Sequence, residues 1–278
     1  MIKRIIPLIF ILFLSEQVFS QEWELGSSFG ASKYLGEMTP NVQADNIHPS
    51  VALFAKKNWN PYFSWKPSLL FTRISGADSL FEQNKTRNLH FFSNYFELSN
   101  NIEFNFFPFG IGAHDKNFTP FVSTGLSIFY FNPRAEFGGR KHNLIEHNTE
   151  GQNSKNQYKN IQIALPFSFG LKFNLQKNWV VAIAASWRKT YTDHLDDVSG
   201  RYPDLQEQEE KFGVLSAKLS DRSVELYPNL QSQKGKFRGD PQTKDWVIFA
   251  QASISYRFTP IKCWPGYKTK VKRDYWGR

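Results

Sequence analysis

Eight runs of strictly alternating apolar and polar residues, an aromatic content of 17% dominated by 27 Phe, and connections that alternate long and short predict an all-β fold. The form expected is an eight-stranded antiparallel transmembrane β-barrel with long extracellular loops and short periplasmic turns. Period-two alternation means that successive side chains point to opposite faces of a strand. In a soluble sandwich the apolar faces would meet in a core beneath charged outer faces. Here the apolar faces are rich in Phe, Trp and Tyr, and the opposite faces hold small residues, amides and a few charges of both signs, the pattern of a barrel that is apolar outward and polar inward.

The runs follow in order. Trp23, Leu25, Phe29 and Ala31 share one face of the first, opposite Glu24, Gly26 and Ser28. Val51, Leu53 and Ala55 mark the second, and Phe63, Trp65, Leu69 and Phe71 the third. The fourth places Phe96, Leu98, Ile102 and Phe104 against Glu97 and Glu103, and the fifth Val122, Leu126, Ile128 and Tyr130 against Ser123, Gly125 and Ser127. Ile161 through Phe173 gives the sixth, with Lys172 on its polar face. Trp179 through Trp187 gives the seventh, with Arg188 and Thr190 in the inward phase, and Trp246 through Phe258 the eighth, with Arg257 inward. Runs of about ten residues suit a tilted membrane strand.

Between these runs the connections read long (34–49), short (58–62), long (73–89), short (107–118), long (131–159), short (174–178) and long (191–244). Short turns on the periplasmic side and long loops outside is the outer-membrane convention. The expected location is therefore the outer membrane, in contact with its lipids.

The chain divides into three parts. Residues 1–20, "MIKRIIPLIFILFLSEQVFS", carry Lys3 and Arg4 before an apolar run too short to span a bilayer, and read as a signal peptide for export. Residues 21–258 hold the barrel, and residues 259–278 form a basic tail. The formal charge of +9 invites a nucleic-acid reading, but the tail carries a net five of those charges and the signal peptide a net one, so the body is only weakly basic and no nucleic-acid partner is expected. One cysteine, Cys263, can build neither an internal disulfide nor a thiolate zinc site.

Eight strands enclose too little space for a water-filled pore. The inward charges Glu24, Glu97, Glu103, Lys172, Arg188 and Arg257 are expected to pair and plug the lumen, with Arg188 meeting Glu24 or Glu97, because an unpaired charge there is costly. Asp193, Asp196 and Asp197 open the longest loop. They are expected to fold its base over the rim by accepting backbone N–H bonds, as Asp does in local turns. Calcium is an alternative for these three, but the stretch lacks the Gly and the distal Glu of a calcium loop. No catalytic residue, metal or cofactor is expected. The alternative from another class is an outer-leaflet lipid-modifying enzyme using His194 and Ser199, a pair whose spacing is not distinctive. In the tail, Trp264, Tyr267, Tyr275 and Trp276 among the lysines suit a periplasmic docking segment.

Several strings carry a family likeness: "ELGSSFGASKYLGEMTP", "FELSNNIEFNFFPF", "FTPFVSTGLSIFYFNP", "LPFSFGLKFNL", "WRKTYTDHLDDVSGRY" and "RGDPQTKDWVIFAQASISYRF". In that order they resemble a family of Bacteroidota outer-membrane β-barrels similar to PorG, the barrel component of the type IX secretion system. "TDHLDDVSG" is the most specific of these elements, and His194 stands where an aromatic is expected. The resemblance implies an outer-membrane barrel with a structural or interaction role in protein transport across the cell envelope, periplasmic secretion-ring proteins as partners, and neither catalytic residues nor a cofactor.

Overall fold

The computed structural model describes residues 22–40, 45–109, 117–152, 157–176, 178–240 and 242–258. The segments read as signal peptide and basic tail lie outside the described residues.

Eight antiparallel strands close on themselves. They are β1 (Glu22–Leu35), β2 (His48–Asn58), β3 (Phe63–Ala77), β4 (His90–Asn105), β5 (Phe118–Phe137), β7 (Ile161–Gln176), β8 (Trp179–Thr190) and β9 (Trp246–Phe258). Each pairs with its neighbour in the chain, and pairing of β1 with β9 completes the ring. Closure leaves no unpaired edge, as a spanning sheet in lipid requires.

A ninth strand, β6 (Arg140–Asn143), lies outside the ring as a hairpin on an overlong β5. Alternation alone leaves this stretch within the long connection 131–159. Its signal was the pair Gly138-Gly139, which adopts φ values of 58° and 74°. Two positive φ values in a two-residue connection suit glycine and the right-handed twist of the flanking strands.

Alternation sorts the side chains as the period requires. Leu53, Leu126 and Ile161 are 60%, 65% and 62% exposed, and Phe167 and Phe169 also face outward. A sandwich would bury that pair in a dry core. An apolar belt around a closed barrel is the signature of a protein solvated by lipid. Strands of up to 20 residues exceed what the hydrocarbon layer needs, so their far ends rise beyond it.

The inward faces fill the barrel in two layers. Near the end with the short turns, Glu24, Lys56, Lys66, Glu103, Lys172 and Arg257 meet. Toward the other end an aromatic layer takes over: Tyr95 stacks on Phe129 at 5.0 Å and contacts Phe249 at 6.4 Å, while Tyr34 meets Phe91 edge-on at 5.0 Å. Between them a cavity of only about 50 Å³ remains, lined by Ser28, Phe54, Lys66, Asn101, Arg188 and Gln251 among others.

The long connections pack into a cap over the aromatic layer. It includes four short helices, α1 (Leu144–His147), α2 (Leu205–Phe212), α3 (Val214–Ser220) and α4 (Ser223–Leu226). Leu195 and Val198 from the segment after β8 are fully buried in one cluster with Tyr34, Met38, Phe91, Leu144 and Leu219.

Candidate functional site: the lumen charges and the acidic cap

Strand parity brings the lumen charges together. Arg188 Nε donates to both oxygens of Glu97 at 2.9 Å, and Tyr95 Oη donates to the same carboxylate at 2.8 Å. Of the two acids expected for Arg188, Glu97 is the partner. Glu24 instead accepts from Arg257 at 3.2 Å and Asn58 at 2.9 Å, with Lys56 at 3.5 Å. Glu103 is the hub of the lower layer: Lys56 Nζ lies 3.0 Å from it, Lys172 Nζ donates to it at shorter range, and Lys66 Nζ stands at 4.0 Å.

Lys56 and Lys66 were absent from the expected set. Their signal was available, since Lys56 shares the phase of Ala52 and Phe54, and Lys66 that of Ser64 and Leu70. The low dielectric of a filled lumen makes these pairs strongly interdependent.

The acidic stretch after β8 behaves differently from the expectation. Asp196 alone of the three accepts a backbone N–H, from Val198 at 2.9 Å. Asp197, at a left-handed φ of 63°, accepts from side chains instead: Tyr158 Oη at 2.5 Å, and the Thr149 hydroxyl. Asp193 is 3% exposed, and no donor among the described residues comes within 3.5 Å of either oxygen in hydrogen-bond geometry; Ser199 and Glu37 stand just beyond and favour its charged form. The reason for the difference is tertiary. Leu195 and Val198 anchor the turn in the core, so the carboxyls are presented to other loops rather than to their own backbone.

Two residues distant in sequence complete the cluster. Register pairs Leu35 with Trp246 where β1 meets β9, which sets Glu37 and Asp245 side by side at the mouth. Donor oxygens of Glu37, Asp196 and Asp245 all lie within 4.8 Å of one another. Tyr34 Oη lies 2.6 Å from Asp196 Oδ2 and 2.9 Å from Asp245 Oδ1, while Asp245 Oδ2 accepts from Leu195 N at 2.9 Å. A Cβ on Gly36 would come within 1.9 Å of Tyr34 Oη and 2.2 Å of Asp245 Oδ1, so glycine is required for this close approach.

Burial, then the charges of Asp196 and Asp193, pushes the Glu37 carboxyl up to about 9. Burial raises Asp196 to about 7, Asp197 to about 6 and Asp193 to about 6. Asp245 is raised well above the usual carboxylate range by burial and then by Asp196 and Glu37.

The nearby arginines are already committed. Arg87 forms a two-point pair with Asp78 at 2.8 and 2.5 Å, and Arg238 reaches Glu150 at 3.2 Å and the Asp197 carbonyl. Lys244 acts on Asp193.

His194 stacks on Tyr158 at 4.5 Å with its Nδ1 3.5 Å from Glu150 Oε2, and burial lowers its pKa. Among the described residues no hydrogen bond joins His194 to a serine hydroxyl; the Ser199 backbone N–H goes to Glu150 at 2.6 Å. Trp264, Tyr267, Tyr275 and Trp276 fall outside the described residues. Phe258 ends β9 at the short-turn end, so the chain leaves the barrel there.

A family model described as "Domain of unknown function (DUF6089)" matches residues 3–221. No curated protein matches the chain. Among solved structures, the attachment invasion locus protein Ail of Yersinia pestis is 11% identical, with 86% of this chain and 100% of that one covered at a TM-score of 0.42. Neisserial surface protein A is 8% identical, with 85% and 97% covered at 0.45. The outer membrane protein OprG of Pseudomonas aeruginosa is 8% identical, with 86% and 96% covered at 0.39. These are likenesses of architecture; the barrel itself is established by the closed strand pairing and the apolar belt, which make the chain an outer-membrane β-barrel protein.

Proposed function

The chain belongs to the DUF6089 family, and we propose that it is a non-enzymatic barrel whose work is done by its two ends, in the specific form of a PorG-like component of type IX protein secretion. The observation that carries this reading is the filled lumen. Charged and aromatic layers leave a cavity of about 50 Å³ inside, room for little more than a water molecule or two. Passage through the barrel is therefore not its function, and what remains are the surfaces it displays.

The long connections face outward by the rule for such barrels. Their cap exposes Val214, Val224, Leu226, Tyr227 and Phe237, the last 66% exposed, away from the lipid belt. Apolar residues exposed outside the lipid zone suit contact with another protein. At the opposite end the chain departs into residues 259–278, whose Trp and Tyr among basic residues suit docking to a periplasmic ring. The secretion role is supported by the resemblance of strings such as "TDHLDDVSG" and by this exit on the periplasmic side.

The test is affinity capture of the mature chain in mild detergent, with and without residues 259–278, followed by mass spectrometry. Recovery of ring lipoproteins with the full chain and their loss on truncation is expected. Recovery of the barrel alone in both cases contradicts the secretion role.

A further inference from the structure

We propose that Glu37, Asp196 and Asp245, with Asp193 beside Glu37, bind a hard divalent cation of the calcium type at the mouth of the barrel. The three carboxyl groups converge: their nearest donor oxygens all lie within 4.8 Å of one another. An ion that sits about 2.3–2.6 Å from each oxygen reaches pairs up to about 5 Å apart.

Convergence of acids alone is not a site, and a second observation separates this cluster from an acidic surface. Asp193 is buried with both oxygens unpartnered among the described residues, and so is Glu37 Oε2. Buried polar atoms are almost always satisfied, and several orphans on adjoining carboxyls point to a group that they would hold. Asp193 faces Glu37, whose carboxyl feels its charge.

Tyr34 sharpens the point. Its hydroxyl stands within hydrogen-bond distance of both Asp196 and Asp245, yet it has one proton to give. The second contact needs either a proton on one of the two carboxyls or a cation beside them. Arg87 and Arg238 both act on Asp196, but their hydrogen bonds go to Asp78 and to Glu150 with the Asp197 carbonyl, and Lys244 acts on Asp193. Carboxyls this close either keep protons or share a cation, and an ion that binds them displaces those protons.

The donor set decides the kind of ion. Every ligand is an oxygen, without Cys or His, which suits calcium or magnesium over zinc or copper. Glu37 also lines a cleft of about 390 Å³ with Arg87, Tyr202, Arg238 and Asp240, which gives an ion a route from solvent. Once bound, the ion would tie the end of β1, the start of β9 and the segment after β8 into one unit.

The experiment uses the full chain refolded into detergent without lipopolysaccharide and stripped with chelator, titrated calorimetrically with calcium chloride and separately with magnesium chloride. Terbium luminescence excited through Tyr34 gives an independent optical readout. A single equivalent of one of these ions is expected, with Asp196→Asn and Asp245→Asn weakening it by about 10- to 100-fold or more. Glu37→Gln, at the half-buried rim, is expected to weaken it similarly and keeps the test decisive where a buried Asn variant fails to refold. Glu207→Gln, on the exposed face of α2, should leave binding unchanged. Absence of binding to either ion, binding that Glu37→Gln does not weaken, or equal weakening by Glu207→Gln overturns the proposal.

Discussion

The molecule buries two sets of ionisable groups, and they are composed differently. The lumen mixes signs: Glu24, Glu97 and Glu103 are met by Lys56, Lys66, Lys172, Arg188 and Arg257. The mouth gathers acids, Glu37, Asp193, Asp196 and Asp245, and the two arginines that act on Asp196 give their hydrogen bonds to Asp78, Glu150 and the Asp197 carbonyl. The lumen set is positioned by strand parity and supplies its own countercharge, so it closes the barrel unaided. The mouth set is positioned by loops and is short of positive charge, which is what a site awaiting a ligand looks like. Buried charge is thus structural where it is self-paired and a candidate for function where it is not.

The largest effect should come from breaking the self-paired set. Glu103→Gln removes the hub shared by Lys56 and Lys172 and is expected to destabilise the barrel by about 3–5 kcal/mol, read from urea unfolding in detergent or bilayer. Loss of that order at Glu103 alongside a mild effect of Glu37→Gln would sharpen the contrast between the layers. A next smaller effect is expected on the outer face. Leu53→Arg places a charge in the lipid belt and should destabilise by about 2–4 kcal/mol in bilayers near the midplane, with no comparable effect on the cap.

At the mouth, Gly36→Ala drives a methyl into Tyr34 Oη and Asp245 Oδ1. A loss of about 1–3 kcal/mol is expected, with displacement of Tyr34 visible in its near-ultraviolet signal. The smallest effect on global stability is expected from Asp196→Ala combined with Asp197→Ala. Limited proteolysis should cut the segment after β8 faster, while heat-modifiable migration shows the barrel folded, because cap and barrel open separately. Simultaneous collapse of both would erase the distinction drawn between them.

Much of the fold was legible because a barrel in lipid obeys one rule at every strand. Alternation placed Leu53, Phe169 and Ile183 outside and Glu24, Glu103 and Lys172 inside from their phase alone. The same rule places Lys56 and Lys66 inward, although the apolar phase of their strands carries the stronger signal. The cap was harder. Asp193, Asp196 and Asp197 drew notice as neighbours in sequence, yet Asp197 turns to Tyr158 and Thr149 while Asp196 joins residues far from it in the chain. No local period brings Glu37 to Asp245. Their meeting follows from the closure of the first strand on the last, and would have emerged from pairing the ends of β1 and β9 in register. The β6 hairpin was missed for a simpler reason: its strand is four residues long, and its glycine pair was the only local signal.

The central claim is that the lumen is plugged by its own side chains, and ion conductance across a planar lipid bilayer tests it most directly. Purified full-length chain, with insertion confirmed by protease protection of the strands, should give no stepwise current above baseline at moderate voltage. Glu103→Gln, which leaves its lysines without their counterion, is the variant in which leak should first emerge. Steady, reproducible conductance steps from the unmodified chain would contradict the account and make the barrel a channel.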